Sequence, residues 1–223
     1  MAALEELLAG QGLGAPVVAA LSRYGDLVLE ANRRFNITGA SSTQEIAQHI
    51  SDSLSVVPYL KEPYVDVGSG AGFPAIPVAI VTGIRLTLIE ATLKKARLLE
   101  SFLETLGLRG NVVAERAESA GHRPDLREQF ASGTCRGVAT APAVAELLLP
   151  LIGIGGAAVL QRGRTDELEG RALEDASLML GASVESDDEI GGDHHIILLR
   201  KLTGTPNRFP RRTGVPQKRP LCE

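Results

Sequence analysis

The chain has 223 residues, of which 44% are hydrophobic, a net charge of −4 and two cysteines, Cys135 and Cys222. This length suits one α/β core, and cysteines so few and so far apart argue against a disulfide framework or a structural metal site. No apolar run is long enough to span a membrane, and Glu5 and Glu6 stand where a signal peptide would be basic, so we expect a cytoplasmic protein without a membrane partner.

The charge is unevenly distributed along the chain. Between Pro206 and Glu223 five basic residues face one glutamate, which gives this tail +4 and leaves −8 for residues 1–205. A basic, proline-rich tail of this kind could hold a phosphate backbone. It could equally lie on its own acidic domain, and composition favours neither interpretation.

Helical periodicity opens the chain. Apolar residues recur at three- and four-residue spacing over Ala3–Ala9 and again over Pro16–Phe35. The pattern breaks at Phe35–Gly39, which predicts a loop. These segments predict a helical cap at the N-terminus.

A further helix follows the loop. Ser42 and Glu45 have the spacing of a capping box, which predicts a helix running from there to Leu60. His49 lies on this helix beside residues expected to face the core. A lone histidine in that setting is more often a packing residue than a catalyst, so both interpretations stay open.

The stretch Tyr64–Pro74 predicts a short buried strand, a glycine loop and the start of a helix. Gly68, Gly70 and Gly72 let the backbone take positive φ values and approach a ligand closely. The third glycine of a dinucleotide fingerprint would fall at Phe73, so a pyrophosphate is poorly matched. A nucleoside without phosphates, such as S-adenosylmethionine, fits this loop better.

An acidic residue ends the next predicted strand. Arg85–Glu90 is rich in β-forming residues, and Glu90 lies 22 positions after Gly68, close to the interval at which a strand-end carboxylate meets ribose hydroxyls. Loop and carboxylate together predict a cofactor site. The alternative is that the glycines only allow close helix packing and that Glu90 is a solvated strand end.

Helices and strands alternate through the rest of the chain. We expect helices over Pro74–Val81, Thr92–Leu106, Ala143–Leu151 and Thr165–Leu180, and strands over Asn111–Glu115, Arg136–Thr140, Gly155–Leu160, Ser183–Glu185 and His194–Lys201.

The last two strands are joined through Asp187–Gly192, a hairpin connection that makes the final strand antiparallel. The pattern predicts a doubly wound, mostly parallel sheet of seven strands with a reversed strand at its edge. His194 and His195 lack a further ligand at useful spacing, so we expect strand surface and no metal site.

A charged corner follows the third predicted strand. Arg116, Ala117 and Glu118 stand at a strand's carboxyl end, the edge where open α/β sheets bind ligands. A surface ion pair would explain the same charges, so both interpretations remain.

Across nearly its whole length the chain resembles the bacterial small-subunit (16S) ribosomal RNA guanine-N7 methyltransferases of the RsmG or GidB type. The residues that carry the resemblance are Phe35-Asn36-Ile37-Thr38, His49-Ile50-x-Asp52-Ser53, Asp66 to Pro74, Leu88-Ile89-Glu90 with Lys94-Lys95, Arg116-Ala117-Glu118 and the tail from Pro206 to Leu221.

The resemblance implies a class I S-adenosylmethionine-dependent methyltransferase fold, which is Rossmann-like. It also implies methyl transfer from S-adenosylmethionine to N7 of a guanine in 16S ribosomal RNA, with the RNA or the 30S subunit as partner. It divides the chain into a helical cap at 1–60, a cofactor-binding core at 61–205 and a basic tail at 206–223. We expect a monomer.

The resemblance also assigns site residues. The expected cofactor-binding residues are Gly68, Gly70, Gly72, Phe73, Glu90, Ala117 and Glu118, with Glu90 at the ribose and the last two beside the adenine. The expected catalytic residues, which would hold the target base or its phosphates, are Asn36, His49 and Arg116.

One family feature is expected to be missing. Members carry Asp-x-x-x-Ser/Ala-Arg-Ala after the fourth strand, and with that strand predicted at Arg136–Thr140 the arginine position falls on Ala141 or Pro142. A basic residue after the fifth strand is retained as Arg162.

Two other functions therefore stay open. The chain could be a methyltransferase for a small molecule, or a ribosome-assembly protein that binds RNA and has lost catalysis.

Overall fold

The computed structural model describes residues 2–8, 12–191 and 194–222. Its centre is one sheet, whose strands are β1 (Tyr64–Val67), β2 (Leu86–Ile89), β3 (Gly110–Val113), β4 (Phe130–Arg136), β5 (Ile152–Gly163), β6 (Ala182–Gly191) and β7 (His194–Lys201). The strand order is β3-β2-β1-β4-β5-β7-β6, and only β7 is antiparallel to both of its neighbours.

Helices cover both faces of this sheet. They are α1 (Ala2–Leu8), α2 (Ala15–Phe35), α3 (Thr43–Ser53), α4 (Ala75–Thr82), α5 (Leu93–Leu106), α6 (Ala117–Ala120), α7 (Ala141–Leu148), α8 (Glu167–Met179) and α9 (Val215–Lys218). The predicted end of the first helix, Ala9, lies outside the described residues.

Alternate strand residues divide the core into two layers, because neighbouring residues of a strand point to opposite faces. In β5, Val159 packs in the layer formed with α1–α5, whereas Ala158 and Leu160 pack in the layer formed with α6–α8 and the tail. The N-terminal helices therefore share a hydrophobic core with the sheet.

The capping box predicted at Ser42 is confirmed. Ser42 Oγ accepts from the backbone N–H of Glu45, and the Glu45 carboxylate accepts from the backbone N–H of Ser42. The α-helix ends at Ser53, and the chain continues as a 3₁₀ helix over Leu54–Tyr59. Pro58 suits this change, since a proline interior to an α-helix would remove a hydrogen bond.

The fourth strand was predicted in the wrong place. It covers Phe130–Arg136, and the predicted segment from Gly137 to Thr140 is the loop that follows. Gly137 has φ +65°, a left-handed conformation that ends the strand. Ser132 and Thr134 are buried in this strand, so its sequence lacks the apolar run that is typical of a buried parallel strand.

The reversed strand was also predicted at the wrong position in the sheet. β7 lies between β5 and β6, so β6 forms the edge. β6 extends to Gly191 through Asp187–Ile190, which was predicted as a connection, and its exposed acidic residues blunt the open edge. Gly192 of the predicted connection lies outside the described residues.

No helix in the described part of the chain is both long and apolar enough to cross a bilayer. Within the same residues, no three side chains of metal-binding type come together.

Candidate active site

The glycine loop lies at the carboxyl ends of the parallel strands. The backbone N–H of Gly68 donates to the carbonyl oxygen of Ile89 at 2.9 Å, which fixes the loop to the end of β2. Gly68 has φ +72°, and a Cβ there would lie 2.5 Å from Val138 Cγ2. Only glycine fits this position.

Glu90 is bound into the glycine loop. One carboxylate oxygen accepts from the backbone N–H of Gly70 at 2.9 Å, and the other accepts from the backbone N–H of Thr92 at 2.7 Å. The residue is 7% exposed, so the alternative of a solvated strand end is wrong. Each oxygen still has a free lone pair, since a carboxylate accepts up to about four hydrogen bonds.

Glu90 opens onto a cleft of about 200 Å³, which we call the Glu90 cleft. Its walls come from the ends of β1–β3 and from the tail, and they include Gly68, Glu90, Arg116, Ala117, Glu118, Val138, Leu147 and Gln217.

A second cleft of about 380 Å³ lies next to the first, and Gly68 and Val138 line both. We call it the His49 cleft; its lining includes Thr38, Gly39, His49, Phe73, Lys95 and Arg136. The structure thus brings His49 and Phe73, which are far apart in the sequence, to the same opening beside the glycine loop.

His49 is held by Arg136. Arg136 Nη2 lies 2.7 Å from His49 Nδ1, and Arg136 Nη1 donates to the His49 carbonyl oxygen at 3.3 Å. Burial, and next the charge of Arg136, lower the pKa of His49. A guanidinium can only donate, so neutral His49 accepts at Nδ1 and carries its proton on Nε2.

Arg136 is a candidate for the family arginine that was expected to be missing. If the family pattern Asp-x-x-x-Ser/Ala-Arg-Ala is placed on residues 131–137, which overlap β4 instead of following it, Arg136 takes the arginine position. Ala131 stands at the aspartate position and Gly137 at the final alanine. In that register the arginine expected to be missing at Ala141 or Pro142 corresponds to Arg136, which lines the His49 cleft.

The other expected site residues divide into two groups. Gly68, Gly70, Phe73, Glu90, Ala117, Glu118, His49 and Arg116 line one or both clefts. Asn36 and Gly72 line neither. Asn36 is exposed at the end of α2, and a Cβ on Gly72 would lie 2.5 Å from Ile76 Cδ1, so this glycine serves packing.

The tail lies on the body of the protein. Arg211 donates to both oxygens of Glu146, which is fully buried, and the shortest of these contacts is 2.6 Å. Arg208, Arg212, Lys218 and Arg219 are exposed and form no ion pair within the described residues. Arg162, which was predicted to follow the fifth strand, lies within β5 and pairs with Glu169 at 2.7 Å.

Two residues that support the site were missed. Tyr24 of α2 is fully buried, and its hydroxyl donates to the carbonyl oxygen of Ala71 at 2.9 Å. Asn32 holds the loop after α2 by accepting from the Thr38 N–H and donating to the Ala40 carbonyl oxygen. The helical periodicity placed Tyr24 in the core, but no local signal indicates which carbonyl it meets.

The fold is that of class I S-adenosylmethionine-dependent methyltransferases. The mitomycin 7-O-methyltransferase MmcR superposes with a TM-score of 0.58 at 14% identity, over 80% of this chain and 60% of that one. TYW2 of P. horikoshii, solved in complex with MeSAdo, gives a TM-score of 0.55 at 13% identity, over 68% and 61%.

The family model described as "rRNA small subunit methyltransferase G" (GidB) matches residues 17–197. The protein of that name from Trichormus variabilis is 39% identical over 88% of this chain and 87% of its own, and that from Deinococcus deserti is 36% identical over 98% and 96%. The chain therefore belongs to the GidB family of rRNA small subunit methyltransferases.

Proposed function

We propose that the protein transfers a methyl group from S-adenosylmethionine to N7 of a guanine in small-subunit ribosomal RNA. Membership of the GidB family supports small-subunit ribosomal RNA as the substrate class and S-adenosylmethionine as the methyl donor. The observation that carries the proposal is that two clefts share Gly68 in their lining, with a fixed carboxylate in one and a neutral imidazole in the other.

The residues of the Glu90 cleft fit the nucleoside part of S-adenosylmethionine. Each Glu90 oxygen already holds one backbone N–H and can accept a further hydrogen bond from a ribose hydroxyl. Ala117 and Glu118 stand where the adenine would lie, and Gly68 lets the backbone come close. When bound, S-adenosylmethionine supplies an electrophilic methyl group.

Methyl transfer to N7 of guanine requires few functional side chains. N7 of guanine has a lone pair in the ring plane and no proton, so no general base is needed. What the protein must supply is position, and correct alignment can contribute about 7–11 kcal/mol in the best intramolecular models. The absence of a nucleophile–histidine pair in the described site agrees with this requirement.

We assign His49 to the target base. Because Arg136 occupies Nδ1, the N–H of Nε2 is the donor that His49 can offer to the cleft. Guanine carries acceptors at O6 and N7 on one edge. A hydrogen bond from Nε2 to O6 would hold the base in the cleft and leave the N7 lone pair free.

Basic residues around the openings are assigned to the RNA backbone. Lys95 lines the His49 cleft, and Arg116 lines the Glu90 cleft and is exposed. Asn36, which is exposed at the end of α2, is assigned to the rim on the RNA side. We place the protein, as a monomer, in the cytoplasm with its substrate.

The test is transfer of labelled methyl groups to 30S subunits that lack the modification, compared with free 16S RNA and with small nucleosides. We expect incorporation into the subunit or its RNA and none into nucleosides. His49→Gln should lower kcat strongly, while the matched control His195→Gln, on β7 and in the lining of neither cleft, should not. Turnover of nucleosides without RNA would contradict the proposal and favour a small-molecule methyltransferase.

The alternative of a catalytically lapsed RNA-binding protein rested on a missing arginine. Arg136 weakens the argument from a missing arginine, because it is an arginine that stands at the end of β4 and lines the cleft. Binding of RNA without any affinity for S-adenosylmethionine would restore the alternative.

A further inference from the structure

The C-terminal tail forms part of the wall of the Glu90 cleft. Gln217, in α9, lines this cleft together with Ala117, Glu118 and Leu147. Gly214, just before α9, donates its backbone N–H to Glu118 Oε1 at 2.7 Å. A residue of the cleft wall therefore holds the segment that carries Gln217.

The other end of α9 is fixed as well. Arg211 Nη2 donates to the carbonyl oxygen of Arg219 at 2.8 Å, and the same guanidinium binds the fully buried Glu146. With contacts before and after it, α9 has a defined place, and so has the backbone of Gln217.

The acidic groups of this cleft are already engaged. Glu90 accepts from Gly70 and Thr92, Glu118 accepts from Gly214, and Glu115 pairs with Arg123 at 2.8 Å. Gln217, in contrast, is exposed at the rim of the cleft, and its carboxamide has no hydrogen-bond partner among the described residues, so it is free to bind a ligand.

A free carboxamide has a chemistry that suits adenine. It offers a donor and an acceptor side by side, as does the edge of adenine that carries the 6-amino group, and glutamine pairs with adenine in this two-bond manner. Arg116, which lines the same cleft, carries donors only and cannot accept from an amino group.

We propose that Gln217 binds the 6-amino edge of the adenine of S-adenosylmethionine, so that the C-terminal tail is part of the cofactor site. This inference rests on the proposed function in one respect, the assignment of the Glu90 cleft to the adenosine part of the cofactor. It adds a residue and a segment for which the sequence had suggested only RNA binding or packing on the protein's own acidic domain.

Calorimetric titration tests the inference without any methyl transfer. Two ligands are compared, S-adenosylhomocysteine and its analogue in which an unsubstituted purine replaces adenine. The wild-type chain should bind the adenine compound on the order of tenfold more tightly, the discrimination expected of a paired carboxamide. Gln217→Ala should bind both compounds alike.

Lys218→Ala is the matched control, because Lys218 is the next residue of α9, is exposed and does not line the cleft. It should keep the wild-type discrimination, and equal thermal midpoints would show that both variants fold. A Gln217→Ala chain that still prefers adenine to the same extent overturns the inference. A chain that discriminates through Gln217 but methylates no ribosomal RNA contradicts the proposed function alone.

Discussion

The contact between Arg136 and His49 sets the protonation of the residue assigned to the target base. A positive neighbour disfavours an imidazolium, and burial acts in the same direction, so the pKa of His49 is lowered. The side chain is therefore neutral at pH 7, with a defined tautomer. The geometry and the charge of Arg136 both contribute to that state.

Arg136→Met should raise the pKa of His49, because it removes the cation that lowers this pKa most after burial. NMR titration of the His49 ring measures the change, and the acidic limb of kcat should move to higher pH with it. Arg34→Met, which removes an exposed arginine of α2, is the control and should leave the pKa unchanged. An unshifted pKa in Arg136→Met would remove Arg136 from this role.

Asp66, beneath the glycine loop, is a second residue with a shifted pKa. It is 1% exposed, and burial raises the pKa of its carboxyl to about 7. Thr134 donates to one carboxylate oxygen at 2.6 Å, and Tyr64 in turn donates to Thr134, but the other oxygen has no partner among the described residues. The ionised form is therefore costly in the folded state.

Stability should fall as the pH rises through the pKa of Asp66. In the unfolded chain the carboxyl ionises near its usual pKa of 3.8, so the folded state binds the extra proton between there and about 7. The resulting loss between pH 5 and pH 8 is roughly 2–3 kcal/mol. Urea unfolding across this range should show it in the wild type and not in Asp66→Asn; parallel pH profiles of the two proteins would contradict it.

At the scale of elements, α2 and the glycine loop are joined through Tyr24. Its hydroxyl donates to the Ala71 carbonyl oxygen, and its ring meets Phe73 and Phe102 edge-on at centroid distances of 5.4 and 6.0 Å. The N-terminal helices thus fix the loop that the cofactor would contact.

Tyr24→Phe should lower the free energy of unfolding by about 1–2 kcal/mol, since it leaves a buried carbonyl without its donor. We also expect weaker binding of S-adenosylmethionine, because the loop loses a fixed contact. Unfolding and calorimetric titration measure the two effects. Tyr59→Phe, on the 3₁₀ helix away from the loop, is the control, and unchanged cofactor affinity in Tyr24→Phe would argue against this coupling.

Local spacing was enough to predict the glycine loop, the strand before it and the acidic strand end, because all three depend on residues close in sequence. β4 was not predictable in this way. A Cβ on Gly133 would lie 2.8 Å from Leu148 Cδ1, so β4 has a glycine where α7 packs closely, and buried Ser132 and Thr134 flank it. Small and polar residues here reflect tertiary packing.

The same limit applies to the site. Glu90 and Gly68 could be paired from their interval, but Arg136 and His49 are 87 positions apart and meet only because β4 ends beside α3. Because β4 was predicted a few residues too far along the chain, Arg136 was not recognised as a site residue. Long-range contacts of this kind need the register of the whole sheet.

At the scale of the whole molecule, the tail packs against the body on the side of α6 and α7. His122 contacts the carbonyl oxygen of Pro210 at 2.8 Å, and Arg127 donates to those of Thr205 and Phe209. Of the basic residues of the tail, Arg211 is paired with Glu146 inside the protein, and the other four are exposed.

Arg211→Met should destabilise the protein by about 3–5 kcal/mol, because it leaves Glu146 as an uncompensated buried charge. The tail should also become easier to cleave with trypsin after Arg212 and Lys218. Arg208→Met, which removes an exposed arginine that stacks on Phe209, should have little effect on either measurement. Equal unfolding energies for the two variants would contradict this view of the tail.

The most direct test of the central claim is the position of the methyl group in the product. After methylation of 30S subunits, reduction with borohydride and treatment with aniline cleaves RNA at 7-methylguanosine. Cleavage of the 16S RNA at one guanine, dependent on the protein and on S-adenosylmethionine and lost in His49→Gln, is the predicted result. Label incorporated into the RNA without such cleavage would contradict methylation at N7.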